Sequence, residues 1–205
     1  DRAFVRLNMV SSVDGGSAVE GVSGGLGNSD DHEVFAALRG VTDAVIVGMS
    51  TAVAEQYHAP TDGNLQIYVV APTPDVSGDP ELFATGRATL VVAEDAGPAP
   101  EGVETLRIGT GNVDLAGLCA HLTGKVALLE GGPTLAGIMV AQGLVDEAAC
   151  AEAQGRPVDA GGDGLAEQVP EEPRGVLGVR KGRLEEGVVR RGRLQDALVS
   201  IRVRA

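Results

Sequence analysis

Four stretches of this chain are too apolar to sit at a surface and too short to be buried helices: "DAVIVG" (43–48), "QIYVVA" (66–71), "ATLVVA" (88–93) and "KVALLE" (125–130). The first three are rich in β-branched residues, and the fourth is built mainly from Val, Ala and Leu. Apolar runs of this length are strands covered on both faces, which is the signature of a parallel sheet. "FVRLNMV" (4–10) and the weaker "VETLRI" (103–108) add two more strands. Between them lie helical segments. "NSDDHEVFAALRG" (28–40) has Ser29 as its N-cap, acids in its first turn and Gly40 at its end. "NVDLAGLCAHLTG" (112–124) opens at Asn112 or Asp114, and "PTLAGIMVAQG" (133–143) runs from Pro133 to Gly143. The alternation predicts an α/β fold with a mostly parallel sheet, forming one domain over residues 1–205. The tail stretches "EEGVVRR" (185–191) and "DALVSIRVR" (196–204) alternate apolar and polar residues and predict an antiparallel pair at the sheet's edge. Residues 59–64, 72–80 and 94–102 read as loops, and "AACAEAQGRPVDAGGDG" beyond Glu147 lacks the apolar strand that would be expected after "LVDE".

Composition narrows the function. With 16 basic against 29 acidic residues, the formal charge of −13 repels nucleic acid at long range. No segment approaches the ~20 apolar residues that span a bilayer, and no signal peptide is evident, so a cytoplasmic location is expected. Cys119 and Cys150 lack metal-ligand spacing and read as small buried hydrophobes in a reducing compartment. His32 and His58 are expected at the surface, His121 lies on a helix, and no metal site is predicted. Aromatics are 2% of the chain, so ring-stacking walls around a ligand are not expected.

The chemistry concentrates at strand ends. In "LLEGGPTLAG" (128–137) a buried strand delivers Glu130 to the carboxyl edge of the sheet, where open α/β sheets bind ligands. Gly131 and Gly132 let a bulky anion approach the main chain, and Pro133 has no N–H to spend. The N–H groups of Thr134, Leu135 and Ala136 would then point outward with the positive end of the helix dipole, forming an anion cradle. A packing turn explains the glycines equally well. "VIVGMST" (45–51) is a second bend of the same kind, with Gly48, Ser50 and Thr51; there too the alternative is that Ser50 and Thr51 only cap a short helix at 52–56. "VSSVDGG" (10–16) puts Ser11, Ser12 and Asp14 at the same edge, or simply turns a hairpin.

Taken in order, "SVDG", "LRG", "DAVIVGMSTAVAE", "LLEGGPTLAG" and "GLVDE" resemble the pyrimidine reductase family of riboflavin biosynthesis, over about residues 5–57 and 125–147. The resemblance implies a three-layer α/β/α fold similar to dihydrofolate reductase and a homodimer. It implies NADPH-dependent reduction of a small molecule, 5-amino-6-(5-phosphoribosylamino)uracil first among candidates. Carried over by position, it implies cofactor contacts at Ser11, Gly48, Thr51, Glu55 and Gly132 to Gly137. It also implies substrate contacts at Ser23, Arg39 and Glu130. Arg39 would be a phosphate clamp, or else only a cation suited to its helix end. Asp14 and Glu130 are the candidate proton donors, with water as the rival, although Glu130 suits hydrogen bonds from pyrimidine N–H groups better. The chain departs from the family where it reads "AEQYHAP" (54–60) in place of "ADDP" and a nearby arginine; the next arginine is Arg87. "AEQY" is similar to stand-alone actinobacterial members. Dihydrofolate reduction, a catalytically silent NADPH-binding protein and an unrelated α/β binding domain are the rival readings.

Overall fold

The structure, a computed structural model, describes residues 1–11, 16–18, 22–23, 26, 29–58, 64–152 and 198–202. The strands are β1 (Phe4–Ser11), β2 (Ala44–Gly48), β3 (Gln66–Val70), β4 (Ala88–Val92), β5 (Thr105–Arg107), β6 (Val126–Gly131), β7 (Glu147–Glu152) and β8 (Leu198–Arg202). The helices are α1 (Ser29–Gly40), α2 (Met49–Ala54), α3 (Pro80–Ala84), α4 (Leu115–His121) and α5 (Pro133–Ala141). The strands form one sheet in the order β5-β4-β3-β2-β6-β1-β7-β8. All pairings from β5 to β7 are parallel, and β8 runs against β7 in the opposite sense. The strand 185–191, expected to pair with the last one, lies outside the described residues, as does most of the tail of the predicted single domain.

Side chains of the apolar runs alternate between two cores. Val5, Ile46, Tyr68 and Leu129 pack with Leu118 and Cys119 of α4 and with Leu135, Ala136 and Met139 of α5. Val45, Val47, Ile67, Leu90 and Leu128 pack on the other face with Ala52 of α2 and Leu82 and Phe83 of α3, and Leu38 of α1 joins them. The result is three layers, α/β/α, with the sheet in the middle. Most of these strand residues are wholly inaccessible, and each buried aliphatic side chain stabilises the fold by about 1.5–3 kcal/mol.

Local rules explain the helix ends. Asp114, not Asn112, caps α4, accepting from the Gly117 N–H at 3.0 Å. Helix α1 begins at Ser29 itself. Helix α3 was not expected; it starts at Pro80, the last residue of the stretch read as a loop, where Asp79 accepts from Leu82 N and Pro80 occupies the first turn, a start signal present in "GDPELF". Strand β7 also corrects the sequence reading. Its Ala and Cys residues give little apolar signal, yet Ala149 is buried and the strand runs beside β1 from Arg6↔Glu147 to Ser11↔Glu152. Asp146 secures the entry to β7, because its carboxylate accepts from both Arg2 terminal nitrogens and from the Val5 N–H.

Between β1 and β2 the chain leaves a slot that β6 later fills. Connections depart in opposite senses on the two sides of that slot, and such a switch point opens a crevice at the carboxyl edge of the strands.

Candidate functional site

Glu130 reaches the crevice through an irregularity in β6. Leu129 lies opposite Ile46, but Val47 lies opposite Gly131, so Glu130 is an extra residue with no partner on β2. A bulge of this kind turns a side chain out of the regular alternation. The Glu130 side chain is only 2% exposed. Its Oε1 accepts from Arg39 Nε at 2.8 Å, and its Oε2 accepts from Arg39 Nη2 at 2.7 Å and from the Tyr57 hydroxyl at 2.5 Å. The guanidinium carbon lies 4.5 Å from the Phe35 ring centre and 5.3 Å from that of Tyr57, within the range of cation–π attraction. Phe35 and Arg39 are four residues apart on α1 and therefore share a helix face.

The electrostatics follow from this packing. Burial raises the Tyr57 hydroxyl well above the ordinary phenol range, and the neighbouring Glu130 charge adds to the effect. Burial alone would lower the Arg39 pKa, but the hydrogen bonds and charge of Glu130 outweigh it and the net direction is up. Arg39 is thus the counter-ion of Glu130, a pairing that neither sequence reading of it, phosphate clamp or helix-end cation, had named.

The two glycine bends meet beside this cluster. Helices α2 and α5 start directly after the adjacent strands β2 and β6. Gly48 is the N-cap of α2 and Gly132 of α5, neither end closed by a capping side chain. Ser50 and Thr51 therefore sit inside the first turn of α2 instead of capping a helix at 52–56. A Cβ on Gly132 would lie 2.5 Å from Thr51 Oγ1, so this glycine lets the bends touch and the space is taken by Thr51. Gly131, at φ +99°, requires the left-handed region. A Cβ there would meet nothing nearer than Pro133 N, at 3.9 Å. The Gly131–Gly132 peptide is cis. Of the three N–H groups expected to face outward, that of Ala136 is already bonded to the Gly132 carbonyl at 3.0 Å. Thr134 and Leu135 carry the α5 donors that the helix itself cannot satisfy.

These elements border a cleft of about 780 Å³. Of the residues singled out from sequence, Ser23, Arg39, Ser50, Thr51, Glu55, Glu130, Gly131, Gly132 and Pro133 line it. The Ser23 N–H donates to Glu55 Oε1 at 2.5 Å, linking a residue expected at the substrate to one expected at the cofactor. Ser11 ends β1 opposite Glu152 and is not on the cleft wall. The Leu135 and Ala136 side chains belong to the core, while Thr134 and Gly137 are exposed on α5. Asp14 lies outside the described residues. Phe35 and Tyr57 were not anticipated. With so few aromatics no ring wall was expected, yet two rings flank Arg39; only the Phe35–Arg39 spacing was legible. Exposed His32 and His58 border the cleft as well. Among the described residues no His, Cys, Asp or Glu cluster could hold a metal ion, and no helix is long and apolar enough to cross a membrane.

Comparison with known proteins now becomes informative. The family model of the RibD C-terminal domain matches residues 3–153. A 2,5-diamino-6-ribosylamino-4(3H)-pyrimidinone 5′-phosphate reductase from Methanothermobacter thermautotrophicus is 30% identical over 162 residues, covering 71% of this chain and 75% of its own. The fold is similar to that of a pyrimidine reductase-like protein from Corynebacterium diphtheriae (TM-score 0.66, 20% identity, 77% of each chain). It is also similar to the riboflavin biosynthesis reductase of Saccharomyces cerevisiae (TM-score 0.62, 15% identity, 99% of this chain and 90% of that one). The chain belongs to the RibD C-terminal domain family of riboflavin-biosynthesis reductases and is an oxidoreductase.

Proposed function

We propose that the chain is an NADPH-dependent reductase of the ribosylaminopyrimidines of riboflavin biosynthesis. The observation that carries this reading is the meeting of two helix N-termini, those of α2 and α5, at the wall of the cleft that also holds the Arg39–Glu130–Tyr57 cluster. Unsatisfied N–H groups and the dipoles favour an anion there. The side-chain-free bend at Gly131 and Gly132, which lines the cleft, would let the pyrophosphate of a dinucleotide approach the main chain. The fit is to backbone and helix ends, with Thr51 and Ser50 hydroxyls beside them.

When bound, the nicotinamide supplies the hydride. The protein's part is to hold the pyrimidine so that its ribosyl carbon faces that ring, and orientation supplies most of the acceleration. A carboxylate has about four lone-pair positions. Three on Glu130 are used, so Oε1 can accept one pyrimidine N–H while the ion pair with Arg39 stays intact. Because both oxygens already accept, Glu130 is a poor proton donor; water or Asp14 is the better source. By its family resemblance the chain is expected to act as a homodimer, to be checked by light scattering.

Titration with NADPH and NADH, followed by spectrophotometric assay, tests the reading. NADPH should bind more tightly, and its oxidation should require 5-amino-6-(5-phosphoribosylamino)uracil, the 2,5-diamino compound or their unphosphorylated forms. Turnover of dihydrofolate in their place would favour the folate reading. Binding without consumption of NADPH would favour a catalytically silent protein.

A further inference from the structure

Glu130 lines the cleft, yet its side chain is only 2% exposed. The groups that set its rotation therefore set where it can accept a hydrogen bond. Arg39 fixes one edge of the carboxylate. Its Nε and Nη2 donate to one oxygen each, at 2.8 and 2.7 Å, in the side-by-side fork that uses the lone pair of each oxygen nearer the guanidinium. Each oxygen then keeps an outer lone pair. The fork alone leaves those outer positions equivalent. Tyr57 makes them different, because its hydroxyl donates to Oε2 at 2.5 Å.

Tyr57 is itself held by the main chain. Helix α2 closes with the Gln56 N–H on the Val53 carbonyl and the Tyr57 N–H on the Ala52 carbonyl, the paired bonds of a Schellman motif. Glycine usually takes the turn of that motif; here Gln56 takes it, at φ +51°. Ala52 is wholly buried. The phenol thus leaves a helix end anchored in the core, and a conformation few non-glycine residues adopt brings it to Glu130. Its ring centre also lies 5.3 Å from the Arg39 guanidinium carbon, so one side chain touches both members of the ion pair. The family resemblance implies no contact at Tyr57.

We propose that Tyr57 is a positioning residue for the pyrimidine: by occupying Oε2 it fixes the rotation of Glu130 and directs an incoming ring N–H to Oε1. The proposal rests on the reductase reading above. That N–H belongs to the ring, away from the ribosyl carbon that receives the hydride, so its hydrogen bond contributes alike to the bound substrate and to the transition state. A contact of this kind is read in KM and not in kcat.

Tyr57→Phe keeps the ring beside Arg39 and removes only the hydroxyl. It should raise KM for 5-amino-6-(5-phosphoribosylamino)uracil about tenfold, with kcat changed by less than about threefold and the Kd of NADPH unchanged. A purely structural role gives the reverse pattern, since a smaller folded fraction lowers kcat and leaves KM alone. A double-mutant cycle shows through which group Tyr57 acts. In Glu130→Gln the bond to the ring N–H is already lost, so adding Tyr57→Phe should change KM by less than about twofold. The base alone, 5,6-diaminouracil, gives a readout that needs neither cofactor nor turnover. Ligand-observed NMR should show it bound by the wild type and about tenfold more weakly by Tyr57→Phe; this titration decides if Glu130→Gln does not fold. Unchanged KM and base affinity in Tyr57→Phe, a loss confined to kcat, additivity in the cycle, or failure of the wild type to bind the base overturns the proposal. If NADPH is oxidised with no ribosylaminopyrimidine while the base still binds in a Tyr57-dependent way, it is the reductase reading that fails and the positioning role that stands.

Discussion

Tyr57 shows how much one hydroxyl can carry. It closes the third hydrogen bond to a buried carboxylate, and such charge-assisted bonds are worth about 1.5–3 kcal/mol. Tyr57→Phe should therefore lower unfolding free energy by about 1–3 kcal/mol in urea titrations, with the fold intact. The same phenol sets an alkaline limit. Its pKa is raised in the folded state by burial and by Glu130, so above the ordinary value of about 10 the unfolded chain loses this proton while the native chain keeps it. The native state then binds more protons, and stability falls as pH rises past that point. Tyr57→Phe should flatten the decline in Tm between about pH 9 and 11, leaving the part due to the other groups whose pKa burial raises, Tyr68, Cys119 and Cys150. An unchanged slope would show that the Tyr57 hydroxyl is not held as described.

At the scale of elements, the meeting of the α2 and α5 starts depends on a missing methyl group. Gly132→Ala would drive a Cβ against Thr51 Oγ1, and overpacking of this sort costs about 1–3 kcal/mol. On a Thr51→Ala background the nearest obstacle is the Cβ position of residue 51, at 3.8 Å, which is ordinary contact. The two changes should therefore be strongly non-additive in a double-mutant cycle, and additivity would show that the bends do not touch. Most of the elements around this point were legible because their signals are local: apolar runs for β2 to β4 and β6, and Pro133 with Gly143 for α5. What escaped was set by partners distant in sequence. Strand β7 is built from Ala and Cys residues that become a strand only beside β1. The Glu130 bulge exists only relative to β2. The Arg39–Glu130–Tyr57 cluster joins residues up to 91 positions apart, so Glu130 and Arg39 could be named singly but not as a pair, and Tyr57 not at all.

For the molecule as a whole, the formal charge of −13 opposes the arrival of any anion. Screening shortens the reach of that repulsion, so the association rate constant of NADPH, the cofactor proposed above, should rise as salt is added from low ionic strength, measured by stopped flow. A falling rate would mean that local attraction at the helix ends dominates the approach. The two faces of the sheet also part the chain's only two phenols: Tyr57 stands in the cleft, whereas Tyr68 packs in the core beneath α4 and α5. As there is no Trp, ultraviolet emission comes from these two rings alone. Subtracting the emission of Tyr57→Phe from that of the wild type isolates the light from the cleft, so the arrival of a ligand can be watched without attaching a dye.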